Sequence, residues 1–105
     1  MIIITGSVQS KPDTHQELVA ICIEHSARSR AEQGCIAHNV HVDCENPERL
    51  VFLERWADAA AVKAHFAVPA SGDFVKNLAR LAATPPEMTI FSAEAIPAKA
   101  LVTSL

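Results

Sequence analysis

The sequence predicts an α+β fold, an antiparallel four-stranded sheet with helices on one face, in the order βαββααβ. Three observations carry this. Short β-branched or alternating stretches recur near the start, middle and end of the 105 residues. Longer stretches between them place apolar side chains at helical intervals, and turn-forming residues separate the two kinds. Half of the residues are hydrophobic, enough for the single core that a chain of this length builds without disulfide staples.

Each element has its own local reason. The opening MIIITGSVQ is β-branched and short, as a strand requires, and Lys11-Pro12-Asp13 interrupts it. Thr14 followed by Glu17 matches a capping box, and Leu18, Ile21 and Cys22 recur at helical spacing. The spacing therefore predicts a helix over 13–33, stopped by Gly34. Cys35 to Asp43 reads as a second strand, Glu45-Asn46-Pro47-Glu48 as a turn, and Leu50 to Trp56 as a third strand antiparallel to the second. Asp58 can cap a short helix from Ala59 to Phe66. After a break at Pro69-Ala70-Ser71-Gly72, a further helix carries Phe74, Leu78 and Leu81 on one side and ends before Pro85-Pro86. Glu87 to Ile96 alternates as a fourth strand. Residues 1–96 thus form one domain, and 97–105 a tail whose Leu101, Val102 and Leu105 favour packing on its own subunit or on a partner.

This order describes a ferredoxin-like sandwich, and its sheet is apolar on both faces. In the third strand Val51 and Leu53 point one way while Leu50, Phe52, Glu54 and Trp56 point the other; in the fourth, Ile90 and Phe91 oppose each other. Helices cover one side only, so the expectation is a homodimer packed sheet against sheet, with Glu54 and Trp56 on the dimer side.

Charge and cysteine content narrow the function. Nine basic and 12 acidic residues give a net charge of -3 with no run of either sign, which argues against nucleic acid or an anionic membrane as partner. Three cysteines do not make a disulfide framework, the amino terminus lacks a basic leader pattern, and no apolar run approaches the ~20 residues of a membrane span. A cytoplasmic location is expected.

The stretch CIAHNVHVDC sets Cys35, His38, His41 and Cys44 three residues apart, a set of thiols and imidazoles that zinc accepts. On an alternating strand, however, Cys35 and His41 fall on one face and His38 and Cys44 on the other. The members of each pair lie about 20 Å apart, too far to share an ion. No metal is expected there.

The segment GCIAHNVHVDCENPERLVFLERWADAAAVKAHF resembles the signature of the antibiotic biosynthesis monooxygenase family. The resemblance rests on Gly34-Cys35, the Asn46-Pro47 turn, Glu54-x-Trp56, an Ala/Asp helix start and Ala64-His65; it runs over about residues 1–96. It implies a dimeric α+β barrel that oxidises an aromatic polyketide or quinol with O2, without flavin, metal or haem. Where many relatives carry tyrosine this chain has His38, and it contains no tyrosine, so no phenolic hydroxyl takes part. Strand one offers Thr5, Gly6 and Ser7 in place of the asparagine of haem-degrading cousins.

An oxidation of this kind needs a base active near neutral pH, an oxyanion donor and a dry apolar cavity. Histidine suits the base. His65, on the short helix and at the matching family position, and His38, among Ile36, Val40 and Val42, are the expected catalytic residues. Trp56, Glu54, Phe52, Phe66, Phe74 and Asn39 are the expected substrate contacts. His41 shares a solvated face with Asn39 and Asp43, and His15 and His25 are expected on the surface of the first helix. No cofactor is expected, and the partners are a second copy, an aromatic or quinol-like molecule and O2. The alternative is a non-enzymatic protein of the same fold that binds a hydrophobic small molecule or haem.

Overall fold

The structure, a computed structural model, describes residues 1–102 and is α+β in the expected element order. Strands β1 (Ile2–Gln9), β2 (Cys35–Asp43), β3 (Asn46–Trp56) and β4 (Glu87–Ser92) form one antiparallel sheet in the order β2-β3-β1-β4. Helices α1 (His15–Ser29), α2 (Ala59–Ala67) and α3 (Pro69–Leu81) lie on one face, and a one-turn α4 (Ala98–Leu101) follows. Val102 ends the described chain; the predicted role of Leu105 lies outside the described residues.

The helix boundaries differ from expectation for local reasons. Thr14 does not close a capping box: its hydroxyl donates to the Leu81 carbonyl at 2.8 Å and so ties the start of α1 to the end of α3. α1 stops at Ser29, and Gly34 instead makes the left-handed turn into β2, with φ of 84°. A side chain there would be strained, and its Cβ would lie 2.5 Å from that of Ala61. Asp58 caps α2 as expected, accepting from the Ala61 amide at 2.8 Å. Pro69 is not part of a break; it opens α3, where a missing N–H costs nothing. Likewise Asn46 and Pro47 belong to β3, and the hairpin turn is the pair Cys44-Glu45.

The sheet faces are the reverse of the expected assignment. Leu50, Phe52, Glu54 and Trp56 are buried beneath the helices, whereas Leu53 on the opposite face is 46% exposed. The inner face holds one cluster of Val8, Leu18, Cys22, Leu50, Phe52, Phe74 and Leu81, and a second of Ile4, Trp56 and Val62. Glu54 is the inner-face residue between Phe52 of the first cluster and Trp56 of the second. A bulge in β2 corrects the reading of CIAHNVHVDC. Cys35 pairs with Trp56 and Ala37 with Arg55, so Ile36 is the extra residue and is half exposed. Cys35 therefore shares the inner side with His38, which pairs with Glu54.

β4 is the edge strand next to β1 and is exposed along all six residues. Phe91 is exposed on the outer face, in register with Ile3, while Met88 and Ile90, in register with Gly6 and Ile4, face inward and are exposed as well. The inner face thus has an unroofed margin along β4.

Candidate functional site

The cavity follows from that margin. Between α3 and the β1–β4 side of the sheet lies a space of about 440 Å³, walled mainly by Ile4, Val8, Phe52, Phe74, Leu78 and Met88. Gly6 keeps the floor low, since a Cβ there would approach the Glu87 carbonyl at 3.3 Å. Within this apolar surface His25, Glu54 and His65 present polar atoms.

With His38 behind them, these groups come from four elements, α1, β2, β3 and α2, and meet because each occupies an inward position of its own element. His25 belongs to the buried stripe of α1, with Leu18, Cys22 and Ser29 at helical spacing. Its ring stacks on Phe74 of α3, centroids 3.9 Å apart and 2° from parallel. His38 of β2 lies wholly buried between Ser26, whose hydroxyl oxygen is 2.9 Å from Nδ1, and Glu54 of β3. Its Nε2 is 3.2 Å from Glu54 Oε1 but lacks the alignment of a hydrogen bond. Glu54 Oε1 accepts from the Trp56 indole N–H at 3.0 Å. His65 of α2 packs on Trp56, centroids 4.6 Å apart, and its Nδ1 lies 2.9 Å from Glu32 Oε1. The three imidazoles have mutual centroid distances of 5.1, 5.3 and 5.7 Å.

The electrostatics separate neutral from charged groups. Burial, reinforced by His38, His65 and Arg28, pushes His25 down to about 3, so its ring is neutral at ordinary pH. Burial alone would raise Glu54, but His38, the Trp56 indole and His65 outweigh it and hold the carboxyl below its usual range. A carboxylate therefore stands beside the imidazoles. Burial pushes the Cys22 thiol up to about 12, which removes it as a nucleophile.

The expected residues divide on this geometry. His65, Glu54, Phe52, Phe66 and Phe74 line the cavity. His38 and Trp56 are fully buried behind it and reach it only through Glu54 and His65. Asn39 pairs with Leu53 on the opposite face and is not at the cavity, because the strand alternates. Glu54 finds its partners, the Trp56 indole and His38, within its own chain. The residue that sequence reasoning misplaced is His25. Its place seven residues after Leu18 and three after Cys22 was the available signal: both neighbours are core positions, so His25 shares their face.

The sequence matches the antibiotic biosynthesis monooxygenase family over residues 1–77, a span that contains His25, His38, Glu54 and His65 and ends within α3. It is 32% identical over 90 residues to the uncharacterized protein sll1783 of Synechocystis, covering 86% of this chain and 61% of that protein. This chain thus spans under two thirds of that relative's length. Among solved structures, a proposed antibiotic biosynthesis monooxygenase from Deinococcus radiodurans superposes with a TM-score of 0.88 at 26% identity, over 92% of this chain and 97% of that one. Rv0793 from Mycobacterium tuberculosis shares the fold at a TM-score of 0.84 and 20% identity, over 90% and 96%. The chain belongs to the antibiotic biosynthesis monooxygenase family.

Proposed function

We propose that the chain is a cofactor-independent monooxygenase that oxidises a quinol or polycyclic phenolic substrate with O2. One observation carries the reading: an apolar cavity of about 440 Å³ with His25, Glu54 and His65 on its surface. That volume lies within the range of small-molecule sites, and its polar groups are few and convergent.

Triplet oxygen reacts slowly with closed-shell molecules, so the substrate must first become an electron donor by losing a proton. His65 is the base. A carboxylate only accepts hydrogen bonds, so Glu32 holds the His65 proton on Nδ1 and leaves the Nε2 lone pair for substrate. With an anthrone-type CH2 the sequence balances as follows. Nε2 takes a proton, the carbanion passes one electron to O2, and the radical pair joins through a new C–O bond. The imidazolium returns its proton to give a hydroperoxide. Loss of the remaining C–H proton with cleavage of O–O then releases water and leaves a ketone. One oxygen atom ends in the product and one in water, and the substrate supplies all four electrons. Glu54 stabilises the imidazolium formed at His65, and the apolar wall strengthens that attraction. His38, behind Glu54, acts through it and does not touch substrate. Phe52, Phe66 and Phe74 supply the aromatic wall.

The working unit is a homodimer. The exposed outer face with Leu53 and Phe91 supports sheet-against-sheet packing.

Oxygen uptake with a panel of hydroquinones and anthrones, run in chelator, tests the reading. Uptake is expected, with at least about a tenfold fall in His65→Ala, the low end for lost acid–base catalysis. No uptake across the panel contradicts it and favours a binding protein for hydrophobic small molecules; a haem titration then separates haem from other ligands.

A further inference from the structure

The spacing of CIAHNVHVDC suggests a metal knuckle that the strand cannot form, yet one of its residues reaches a ligand set built differently. His25, His38 and His65 each offer a ring nitrogen, and these atoms all lie within 4.8 Å of one another. A point equidistant from three atoms so spaced is about 2.8 Å from each. Inward shifts of less than about 1 Å would therefore reach the about 2.1 Å of a metal–imidazole bond. The rings are already held from behind. His38 Nδ1 meets Ser26 Oγ, His65 Nδ1 meets Glu32 Oε1, and His25 Nδ1 meets the Arg28 guanidinium at a long 3.4 Å, so Nε2 is the free nitrogen in each. An outer hydroxyl or carboxylate on Nδ1 is the arrangement that orients imidazole ligands. Independently of the cluster, His38 Nε2 is a fully buried nitrogen with no hydrogen-bond partner, and the carboxylate of Glu54 stands 3.2 Å from it.

We propose that His25, His38 and His65 form a buried site for a divalent first-row transition ion, with the Glu54 carboxylate beside His38 to balance its charge. Three imidazoles suit Zn²⁺, Co²⁺ or Fe²⁺ rather than the oxygen-bound Mg²⁺ or Ca²⁺. Because His25, Glu54 and His65 also line the cavity, a further position on the ion would open onto it. His25 must exchange its Arg28 contact for a proton on Nδ1, which the length of that contact makes easy. The ion would occupy the lone pair assigned above to proton removal, so it would inhibit the cofactor-free oxidation. The site itself stands on the ligand geometry and does not require that reading.

Chelator-stripped full-length protein is titrated with Co²⁺ and followed by visible absorption, and with Zn²⁺ in competition with a chromophoric chelator. The expected result is saturation at one equivalent with ligand-field bands of a low-symmetry four- or five-coordinate ion. Binding should weaken at least about tenfold in His25→Phe, whose ring keeps the stack on Phe74, and in His65→Gln. Circular dichroism verifies that each variant folds, and His41→Ala, an exposed control, should bind as the parent does. No ligand-field band, or binding unchanged in folded His25→Phe, overturns the proposal. The two readings fail separately. Co²⁺ binding by a protein that shows no oxygen uptake in chelator supports the metal site and counts against the oxidation; uptake in chelator without Co²⁺ binding overturns the site and leaves the oxidation standing.

Discussion

His25 carries a cost that acid exposes. Burial, reinforced by His38, His65 and Arg28, lowers it from 6.5 to about 3, so in this interval the unfolded chain binds a proton that the folded chain refuses. The sign follows: its contribution to stability is complete above about 6.5 and drains away as pH falls toward about 3. Thermal or urea unfolding in chelator from pH 7 to pH 4 should therefore show a steep loss. His25→Phe should flatten it by up to about 1.4 kcal/mol per pH unit, and an unchanged slope would refute the assignment. His25 also marks how much of the site was legible. His65, Glu54 and Phe74 were recognisable because family pattern or periodicity placed them. His25 was set aside because a polar residue on a helix is usually solvated, although its spacing from Leu18 and Cys22 placed it on the core face. His38 was read among Ile36, Val40 and Val42, but the bulge turns Ile36 outward and Val42 is half exposed, and no sequence rule could reveal Ser26 and Glu54 as its partners across helix and sheet.

At the level of elements, the turn into β2 decides whether the cluster can assemble, since it joins α1, which carries His25, to β2, which carries His38. Gly34 has φ of 84° and meets Ala61 of α2 almost without clearance. Gly34→Ala should cost roughly 1–3 kcal/mol in urea unfolding, from strain and contact together. Adding Ala61→Gly should recover the contact part and not the backbone part; full recovery, or no cost in the single variant, would show that the turn is not under this constraint. The elements were readable to within a few residues because periodicity and capping agree with the fold. Two of the errors were of one kind. Pro69 and Pro47 were taken as breakers, yet Pro69 is at a helix start and Pro47 near a strand end, where proline is tolerated. The Cys35–Ala37 bulge, which reverses the side on which Cys35 sits, has no local signature in the sequence.

For the whole molecule, alternation in β3 indicated two apolar faces but not which one the helices take. That choice depends on Leu18 and Cys22 of α1 and Phe74 and Leu81 of α3 sharing one core with Val8 of β1 and Leu50 and Phe52 of β3, residues distant in sequence. The outer face and β4 remain open, with Leu53, Met88, Ile90 and Phe91 about half exposed or more. Light scattering at micromolar concentration should give twice the 11.3 kDa chain mass. Phe91→Asp with Leu53→Asp should halve it; a monomeric parent would refute the sheet-to-sheet assembly. The central claim is that an apolar cavity with an imidazole base lets O2 react directly with a deprotonated aromatic. The most direct measurement is the oxygen stoichiometry of anthrone oxidation by chelator-treated protein, with catalase added at the end. One O2 consumed per ketone formed, with no oxygen returned by catalase, is the expected result. Oxygen returned by catalase, showing release of peroxide, or uptake no faster than without protein, would contradict it.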